Sequence, residues 1–592
     1  MGKILGLNLS HDTSVAVLDD TGQIVFALEE ERLNRVKSGG YFPSKGLSYL
    51  RDKTSYLEEV DRVIVGSTES MSKNLASEIY LDHFKSKSSI YDDAEYFFKK
   101  SRHAGTLLPT KLATLSGSQL IKKLLQEEFN LPSKIEFVNH HNGHLGCGIG
   151  LTRSTSPTLV LSLDNQGDGE SAALTIVENR KPTKRLQLAR NVDSLGELYS
   201  ATTEFYGYTK SRHEGKIMGL AAHGSNTGAI DLLLSHISIE NGFISLKYIK
   251  AQRLALVNHI LKNNFRFPSK LKSSIREIVV AAASETSFYP DLAYAIQFVI
   301  EERISQLVQY WIKKESCENV ILTGGVFSNV KVNQRISEIK GVETVSVFPH
   351  MGDGGLSIGG VWWNLAMESK LNTSDPLLNS AYLGHVRDIE PSTASKQKNT
   401  KGLIVQNLED SDLASKVAEI IFEGGVVGIH RGSIEFGPRA LGNRSILADP
   451  RNIEMVRELN KRCGRTEFMP FAPVVLEEFF DEFMETSNKS LQPFYFMTMT
   501  CNVRQEVRHL IPAVTHVDGT ARPQIVTSTA NKFLHEVVRS FYELSKVPVL
   551  INTSFNIHEE PINGNFNDSV KCLRQGVVDV LVGEGVMYSL KD

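Results

Sequence analysis

The sequence predicts an α/β protein whose N-terminal region is duplicated. A strand–turn–strand pattern opens the chain, with apolar residues 4–8, the polar tip Ser10-His11-Asp12-Thr13 and apolar residues 14–18. The same pattern returns as residues 158–163, the tip Asp164-Asn165-Gln166-Gly167-Asp168-Gly169 and residues 170–177. Helical periodicity separates the strand-rich stretches. Ile275, Ile278 and Val279, then Leu292, Ile296, Val299 and Ile300, recur at the spacing of one helix face.

Taken in order, residues 19–22 make the next turn and residues 23–28 a third strand of a β-meander, followed by the charged run Glu29-Glu30-Glu31-Arg32. Residues 135–138 are apolar and lead directly into His140-His141-Asn142-Gly143-His144. Residues 265–315 read as helical. Residues 319–322 form a strand running into Thr323-Gly324-Gly325-Val326, and residues 353–362 start a helix. A polar, irregular stretch over about 365–402 marks a boundary. The expected organisation is a domain over 1–375, a linker over 376–402 and a second domain over 403–592. Within that second domain, residues 412–422 read as an amphipathic helix and 425–430 as a strand.

Bulk properties exclude several classes. A chain of 592 residues is too long for one core. A net charge of −3 leaves no electrostatic footprint for nucleic acid. No run approaches the roughly 18 apolar residues of a membrane span. The start reads as a strand and lacks a signal-peptide cleavage pattern. Cys147, Cys317, Cys463, Cys501 and Cys572 form no Cys-x-x-Cys pair, which fits a reducing cytoplasm and argues against a cysteine-ligated zinc site. The expectation is a cytoplasmic protein with no membrane and no nucleic acid among its partners.

The residues with chemistry fall into three groups. If the segment after residue 138 is helical, His140 and His144 share one face and can grip one transition metal, with Asp353 of Gly352-Asp353-Gly354-Gly355 as a carboxylate ligand. The residue after His140 is not Glu, so the metalloprotease pattern is absent. The glycine-bearing tips and the Gly324-Gly325 turn can bring backbone amides up to phosphate, with Asp12, Asp164 and Asp168 orienting a metal-bound phosphate or a water. This ordered set is what an actin-like nucleotide fold shows. The third group is basic: Arg439, Asn443 and Arg444, then Lys461, Arg462, Arg465 and Arg522, with Asn552, Ser554 and Asn556. Arginine forks among Ser and Asn donors suit phosphorylated substrates.

The chain resembles the O-carbamoyltransferases typified by NodU, CmcH and TobZ. The motifs that carry the resemblance include Ser-His-Asp-Thr-Ser (10–14), Glu-Glu-Glu-Arg (29–32), His-His-x-x-His (140–144), Glu-Gly-Lys-Ile-Met-Gly-Leu-Ala (214–221), Leu-Thr-Gly-Gly-Val (322–326) and Gly-Asp-Gly-Gly (352–355). Further on they include Glu-Phe-Gly-Pro-Arg-Ala-Leu-Gly-Asn-Arg-Ser (435–445), Thr-His-Val-Asp-Gly-Thr-Ala-Arg-Pro-Gln (515–524) and Asn-Thr-Ser-Phe-Asn (552–556). They run in family order along nearly the whole chain.

The resemblance implies an actin-like (ASKHA, Kae1-like) N-terminal domain and a YrdC-like α/β C-terminal domain. It implies that the C-terminal site forms carbamoyl adenylate from carbamoyl phosphate and ATP, with Mg2+ on the nucleotide. The N-terminal site, with Fe2+ as its divalent metal, would pass the carbamoyl group to a small hydroxylated acceptor. His11 and Asp12 would be catalytic, with His11 as the base. His140, His144 and Asp353 would hold the metal, and His141 would stand behind them. Lys37, Asp164, Asp168, Lys216, Gly324, Gly325, Asn329 and Gly352 would bind the adenylate, and an enclosed path would join the two sites.

Two departures stand out. Glycines at 146, 148 and 150 replace the family's alanine-type residues and put the regularity of the histidine helix in question, at about 1 kcal/mol per glycine. Asn165 stands where the family often has Gly. The rival readings are a tRNA threonylcarbamoyl-type or hydrogenase-maturation carbamoyl enzyme and a non-catalytic actin-like ATP-binding switch. The cysteine-rich zinc fingers of the hydrogenase-maturation enzyme are missing. The acceptor and the oligomeric state, a homodimer among the options, are left open.

Overall fold

β1 (Lys3–Asn8), β2 (Ser14–Asp19) and β3 (Ile24–Glu29) form the expected antiparallel meander. β4 (Val60–Val65) pairs parallel to β1, and β5 (Ile135–Phe137) parallel to β4. In this computed structural model the described residues are 2–38, 42–66, 117–153, 156–247, 274–372, 377–384, 402–465 and 471–591.

The duplication is visible in the strand order. β6 (Thr158–Gly167), β7 (Glu170–Glu178) and β8 (Lys181–Arg190) make a second meander. β9 (Asn319–Thr323) runs parallel to β6, and β10 (Thr344–Val347) parallel to β9. Among the described residues both sheets therefore have five strands in the order third, second, first, fourth, fifth. That repeated order, with helices packed on the sheets, is the duplicated actin-like fold.

Two apolar helices cross between the sheets. α1 (His140–Leu151) carries the histidine cluster, and α4 (Leu356–Met367) follows Gly352-Asp353-Gly354-Gly355. Both are buried nearly all round, as their composition requires. The glycines do not break α1. A Cβ on Gly146 would lie 1.9 Å from the Gly359 carbonyl oxygen, and one on Gly359 would lie 2.0 Å from that of Gly143. The glycines allow α1 and α4 to touch backbone to backbone, and that packing offsets their poor helix propensity. The doubt about helix regularity is thereby corrected.

The helical stretch expected over 265–315 resolves into Ser274–Ala283 and a helix over Asp291–Glu315. Residues 265–273 lie outside the described residues. A shorter helix, Glu214–Ala221, carries the Glu-Gly-Lys motif.

The C-terminal half has its own mixed sheet of eight strands among the described residues. At its centre Val427–His430 lies antiparallel to Arg444–Ala448, which pairs antiparallel with Val549–Ser554. The expected helix and strand over 412–422 and 425–430 appear as Asp410–Phe422 and Val427–His430. In the stretch expected as linker, Tyr382–Gly384 forms a strand that pairs with Ile434–Glu435. Residues 376 and 385–401 of that stretch lie outside the described residues. All five cysteines are buried and none forms a disulfide. Among the described residues no helix is long and apolar enough to cross a membrane.

Candidate active site

The site starts at the head of α1. Asn139 caps the helix by accepting the Asn142 N–H, and the Asp168 carboxylate accepts the His140 N–H at 2.7 Å. These bonds use free amides of the first turn and favour an acid at the positive helix end. Asp168, expected to bind nucleotide, here anchors the helix. One turn apart, the Nε2 atoms of His140 and His144 stand 3.2 Å from each other. Asp164 Oδ2 lies 2.8 Å from His144 Nε2 and 3.7 Å from His140 Nε2, and Asp353 Oδ1 lies 3.5 Å from both.

One atom from each of these four buried residues falls within a 4.8 Å group able to hold a metal ion. The two imidazoles and two carboxylates converge on one spot, an N2O2 set suited to a transition metal. His144 turns Nε2 to the group, and its buried Nδ1 has no hydrogen-bond partner among the described residues. Two imidazole nitrogens and two carboxylates are a donor set that fits a divalent metal. The expected ligands His140, His144 and Asp353 come together, and Asp164, expected on the phosphate, joins them. His141 points elsewhere: its Nδ1 meets Ser162 Oγ at 2.9 Å and its Nε2 the Glu170 carbonyl at 3.1 Å. Both nitrogens are engaged, which leaves His141 a support behind the group.

His11 comes from the first hairpin tip. Its Nε2 is 3.7 Å from Asp353 Oδ2 and its Nδ1 is 3.4 Å from Asp12 Oδ2. The Asp353 carboxylate is the largest influence and raises the imidazole to about 11 against burial, which lowers it. Burial raises the Asp12 carboxyl, and the hydrogen bond with His11 opposes that.

The glycine turns divide. Gly325 and Gly352 border a cavity, and the Gly325 N–H donates to Asp164 Oδ2 at 3.3 Å. Gly324 has φ +93° and packs on the Leu163 backbone, where a Cβ would lie 2.2 Å from the carbonyl oxygen. The close approach at Gly354 serves His350, whose Nε2 would be 1.9 Å from an added Cβ.

That cavity, about 450 Å3, runs from the first half into the second. His11, Asp12, Asp164 and Asp353 line one part, Lys37 and Asn329 its flank, and Arg439, Arg522, Ser554 and Asn556 the C-terminal part. Arg439 Nε is buried with no hydrogen-bond partner. Burial pushes Arg439 down to about 10, and burial together with the nearby Arg439 pushes Arg522 well below its usual value. Two adjacent guanidiniums facing a cavity are a receptor for an anion.

Other expected residues lie off the cavity wall. Arg465 stands one layer behind, donating to Thr553 Oγ1 at 2.9 Å and Ser554 Oγ at 3.0 Å. Arg444 is fully buried and donates to the Arg431, Gly432 and Asn443 carbonyls. Asn552 is buried on the Ala440 carbonyl and Gln524, and Asn443 donates to the Ser433 carbonyl. Arg462 is engaged by Glu458 and Asp579, and Lys461 is exposed on the same helix. Lys216 lies 5.2 Å over the Tyr208 ring.

Glu29 and Arg32 were read only as part of a charged run. Both are buried and border the cavity at the seam between the halves. Their signal was an acid–base run directly after a core strand, where solvated charge is out of place.

The fold and the site it frames are those of a transferase. Residues 3–361 match the family model of the carbamoyltransferase N-terminus, and residues 418–589 that of the carbamoyltransferase C-terminus. The chain belongs to the carbamoyltransferase family. It is 32% identical over 581 residues to the nodulation protein NolNO of Sinorhizobium fredii, covering 97% of this chain and 78% of that protein. It is 26% identical over 596 residues to the 3'-hydroxymethylcephem-O-carbamoyltransferase of Amycolatopsis lactamdurans, covering 98% of each. With nodulation protein U of S. fredii the identity is 25%, covering 99% of each.

Proposed function

We propose that this enzyme is an ATP-dependent O-carbamoyltransferase that works in two steps around one cavity. In the first, carbamoyl phosphate and ATP, with Mg2+ on its phosphates, give carbamoyl adenylate in a YrdC-like domain over 403–592. Water releases phosphate from carbamoyl phosphate, and an oxygen of the resulting carbamate attacks the α-phosphate of ATP and displaces pyrophosphate. In the second, a Kae1-like domain over 1–375 passes the carbamoyl group to a hydroxyl of a small natural-product or sugar-like acceptor and releases AMP. The observation that carries this reading is the continuity of the cavity, with four side chains able to hold a metal at one part and, at another, two guanidiniums that have no acid partner among the described residues.

The residues divide the work accordingly. Arg439 and Arg522 bind the phosphate of carbamoyl phosphate and offset charge as anions leave, with the Ser554 hydroxyl donating beside them and Asn556, its amide hydrogens held by the Ile557 and Glu560 carbonyls, shaping the wall. His140, His144, Asp164 and Asp353 would hold a divalent metal, Fe2+ in this reading, which supplies a Lewis-acid anchor for the adenylate phosphate. His11 stands at the cavity wall; a divalent cation on Asp353 would cancel the carboxylate charge that raises the imidazole, and the neutral ring then takes the proton of an acceptor hydroxyl while Asp12 orients it. Lys37 and Asn329 hold the nucleotide from the flank. The enclosing walls keep water from the carbamoyl adenylate. A hydroxymethyl acceptor is named for the Amycolatopsis relative, which supports a hydroxyl as the receiving group here.

The test is product analysis with ATP and carbamoyl phosphate. AMP and pyrophosphate released only when carbamoyl phosphate is present support the reading. Release of ADP with no dependence on carbamoyl phosphate would instead indicate an ATP switch and overturn it.

A further inference from the structure

The cavity's anion receptor belongs to the C-terminal half, yet the N-terminal half grips the chain that carries it. Gly437 lies two residues before Arg439. Its N–H donates to Glu29 Oε1 at 2.7 Å, and its carbonyl accepts from Arg32 Nη2 at 2.7 Å. The same Nη2 donates to Glu29 Oε1 at 3.1 Å, while Nη1 donates to Glu31. One carboxylate and one guanidinium from the end of β3 and the turn after it thus hold both faces of a single glycine. The site is dry: Glu29 is 4% and Arg32 1% exposed. Gly437 sits at φ +128°, a conformation that favours glycine.

On the other side of Arg439, Glu435 Oε1 accepts the N–H groups of Leu441 at 2.9 Å, Asn443 at 2.9 Å and Arg444 at 3.1 Å. Only Pro438, Arg439 and Ala440 lie between the two carboxylate-held segments, and the proline ring removes one of their dihedrals. This restraint has work to do. Burial first, and then the like charge of Arg439, lowers the tendency of Arg522 to carry a proton, and two like charges left loose would separate.

We propose that Glu29 and Arg32 are positioning residues for Arg439. By fixing the Gly437 peptide they hold its guanidinium opposite Arg522, so the carbamoyl-phosphate step of the C-terminal half depends on two residues of the N-terminal half. The inference rests on the function proposed above. An arginine is needed because its fork spans Glu29, Glu31 and the Gly437 carbonyl together, which a lysine ammonium does not.

The experiment is carbamoyl-phosphate-dependent ATP–pyrophosphate exchange by the full chain, with a thermal unfolding midpoint for each variant. Arg32→Lys is expected to raise KM for carbamoyl phosphate about tenfold, with a smaller change in kcat. Glu29→Gln keeps an acceptor for the Gly437 N–H and is expected to give a smaller rise; it carries the test if Arg32→Lys does not fold. In an Arg439→Ala background, Arg32→Lys is expected to add less than about twofold, because it acts through the group already removed. A wild-type KM in folded Arg32→Lys, or an equal loss in both backgrounds, overturns the positioning role. If the wild-type enzyme shows no carbamoyl-phosphate-dependent exchange, the proposed function itself fails.

Discussion

His144 Nε2 lies 2.8 Å from Asp164 Oδ2 and 3.2 Å from the Nε2 of His140, one helical turn before it. Asp164 comes from the second hairpin and the histidines from the helix that precedes it, so α1 and β6 meet at their chemically active ends. Asp353, at the head of α4, closes the group from a third direction. Four side chains able to hold a metal, drawn from three elements, keep their geometry because α1 and α4 are locked together by their glycine contact.

Asp164→Asn is therefore expected to weaken metal binding at least about tenfold, as His144→Ala should, since both remove an inner ligand. Elemental analysis of the purified variants measures this. A full metal complement in Asp164→Asn would return Asp164 to the nucleotide side and leave only three protein ligands.

His11→Ala separates the two steps. Its imidazole stands beside Asp12 and Asp353 on the N-terminal half, whereas Arg439 and Arg522 line the cavity from the C-terminal half. Carbamoyl-phosphate-dependent exchange should survive while carbamoyl transfer to an acceptor, followed by mass spectrometry, falls at least about 100-fold, the low end for a lost general base. Parallel loss of exchange would contradict the division of labour.

Arg439→Ala and Arg444→Ala should fail in different ways. Arg439 faces the cavity, so its loss should cut exchange about 100-fold, leaving a measurable residue, while the unfolding midpoint holds. Arg444 answers three backbone carbonyls; the Asn443 carbonyl also accepts the Arg431 N–H, so removing Arg444 takes the donor from the Arg431 and Gly432 carbonyls at a cost of about 2 kcal/mol. A stable Arg444→Ala enzyme with normal folding but no exchange would restore the direct binding role that the sequence suggested for it.

Local patterns made much of this legible in the sequence. Alternating apolar runs marked β1 to β3 and β6 and β7, and the acidic tips marked the duplication, because both signals repeat within a few residues. The His140–His144 pair was readable since helix geometry alone sets their spacing. What escaped depends on contacts between distant segments. Asp164 and Asp168 sit four residues apart on one tip, and only the strand pairing decides that the first meets the metal group while the second caps α1. Arg439 and Arg444 look alike in a glycine-rich turn; one opens on a cavity and the other is sealed beneath it. Glu29 and Arg32 carry no role in the sequence beyond a charged run and a family motif, because their partner, Gly437, is remote in the chain.

The glycines of α1 make the same point as an experiment. Alanine is the better helix former by about 1 kcal/mol, so Gly146→Ala should stabilise an isolated helix. Here the new Cβ would lie 1.9 Å from the Gly359 carbonyl oxygen, a backbone atom that cannot step aside. Overpacking of this kind costs about 1–3 kcal/mol and should outweigh the gain. A lower thermal midpoint, with reduced metal content as α1 and α4 part, is the expected result. A raised midpoint would mean the helices do not approach so closely.

One ion pair across the seam should respond to acid. Lys331 Nζ, from the actin-like half, meets Asp518 Oδ2 of the C-terminal half at 2.7 Å. Burial alone would raise the Asp518 carboxyl; the Lys331 ammonium and the hydrogen bonds from Thr520 outweigh it and hold it down to about 2. The folded value is depressed below the ordinary 3.8, so the pair stabilises the fold above pH 3.8. That contribution fades as pH falls from 3.8 towards 2, where the folded carboxyl also takes up a proton. The carboxylate is 33% exposed, so solvent screening leaves about 1 kcal/mol of the ideal value. Asp518→Asn removes the charge and should lower the urea midpoint at pH 5, with the gap to wild type about halved at pH 3. A gap that stays the same between these two pH values would show that Asp518 supports the seam through its hydrogen bonds to Thr520 and not through its charge.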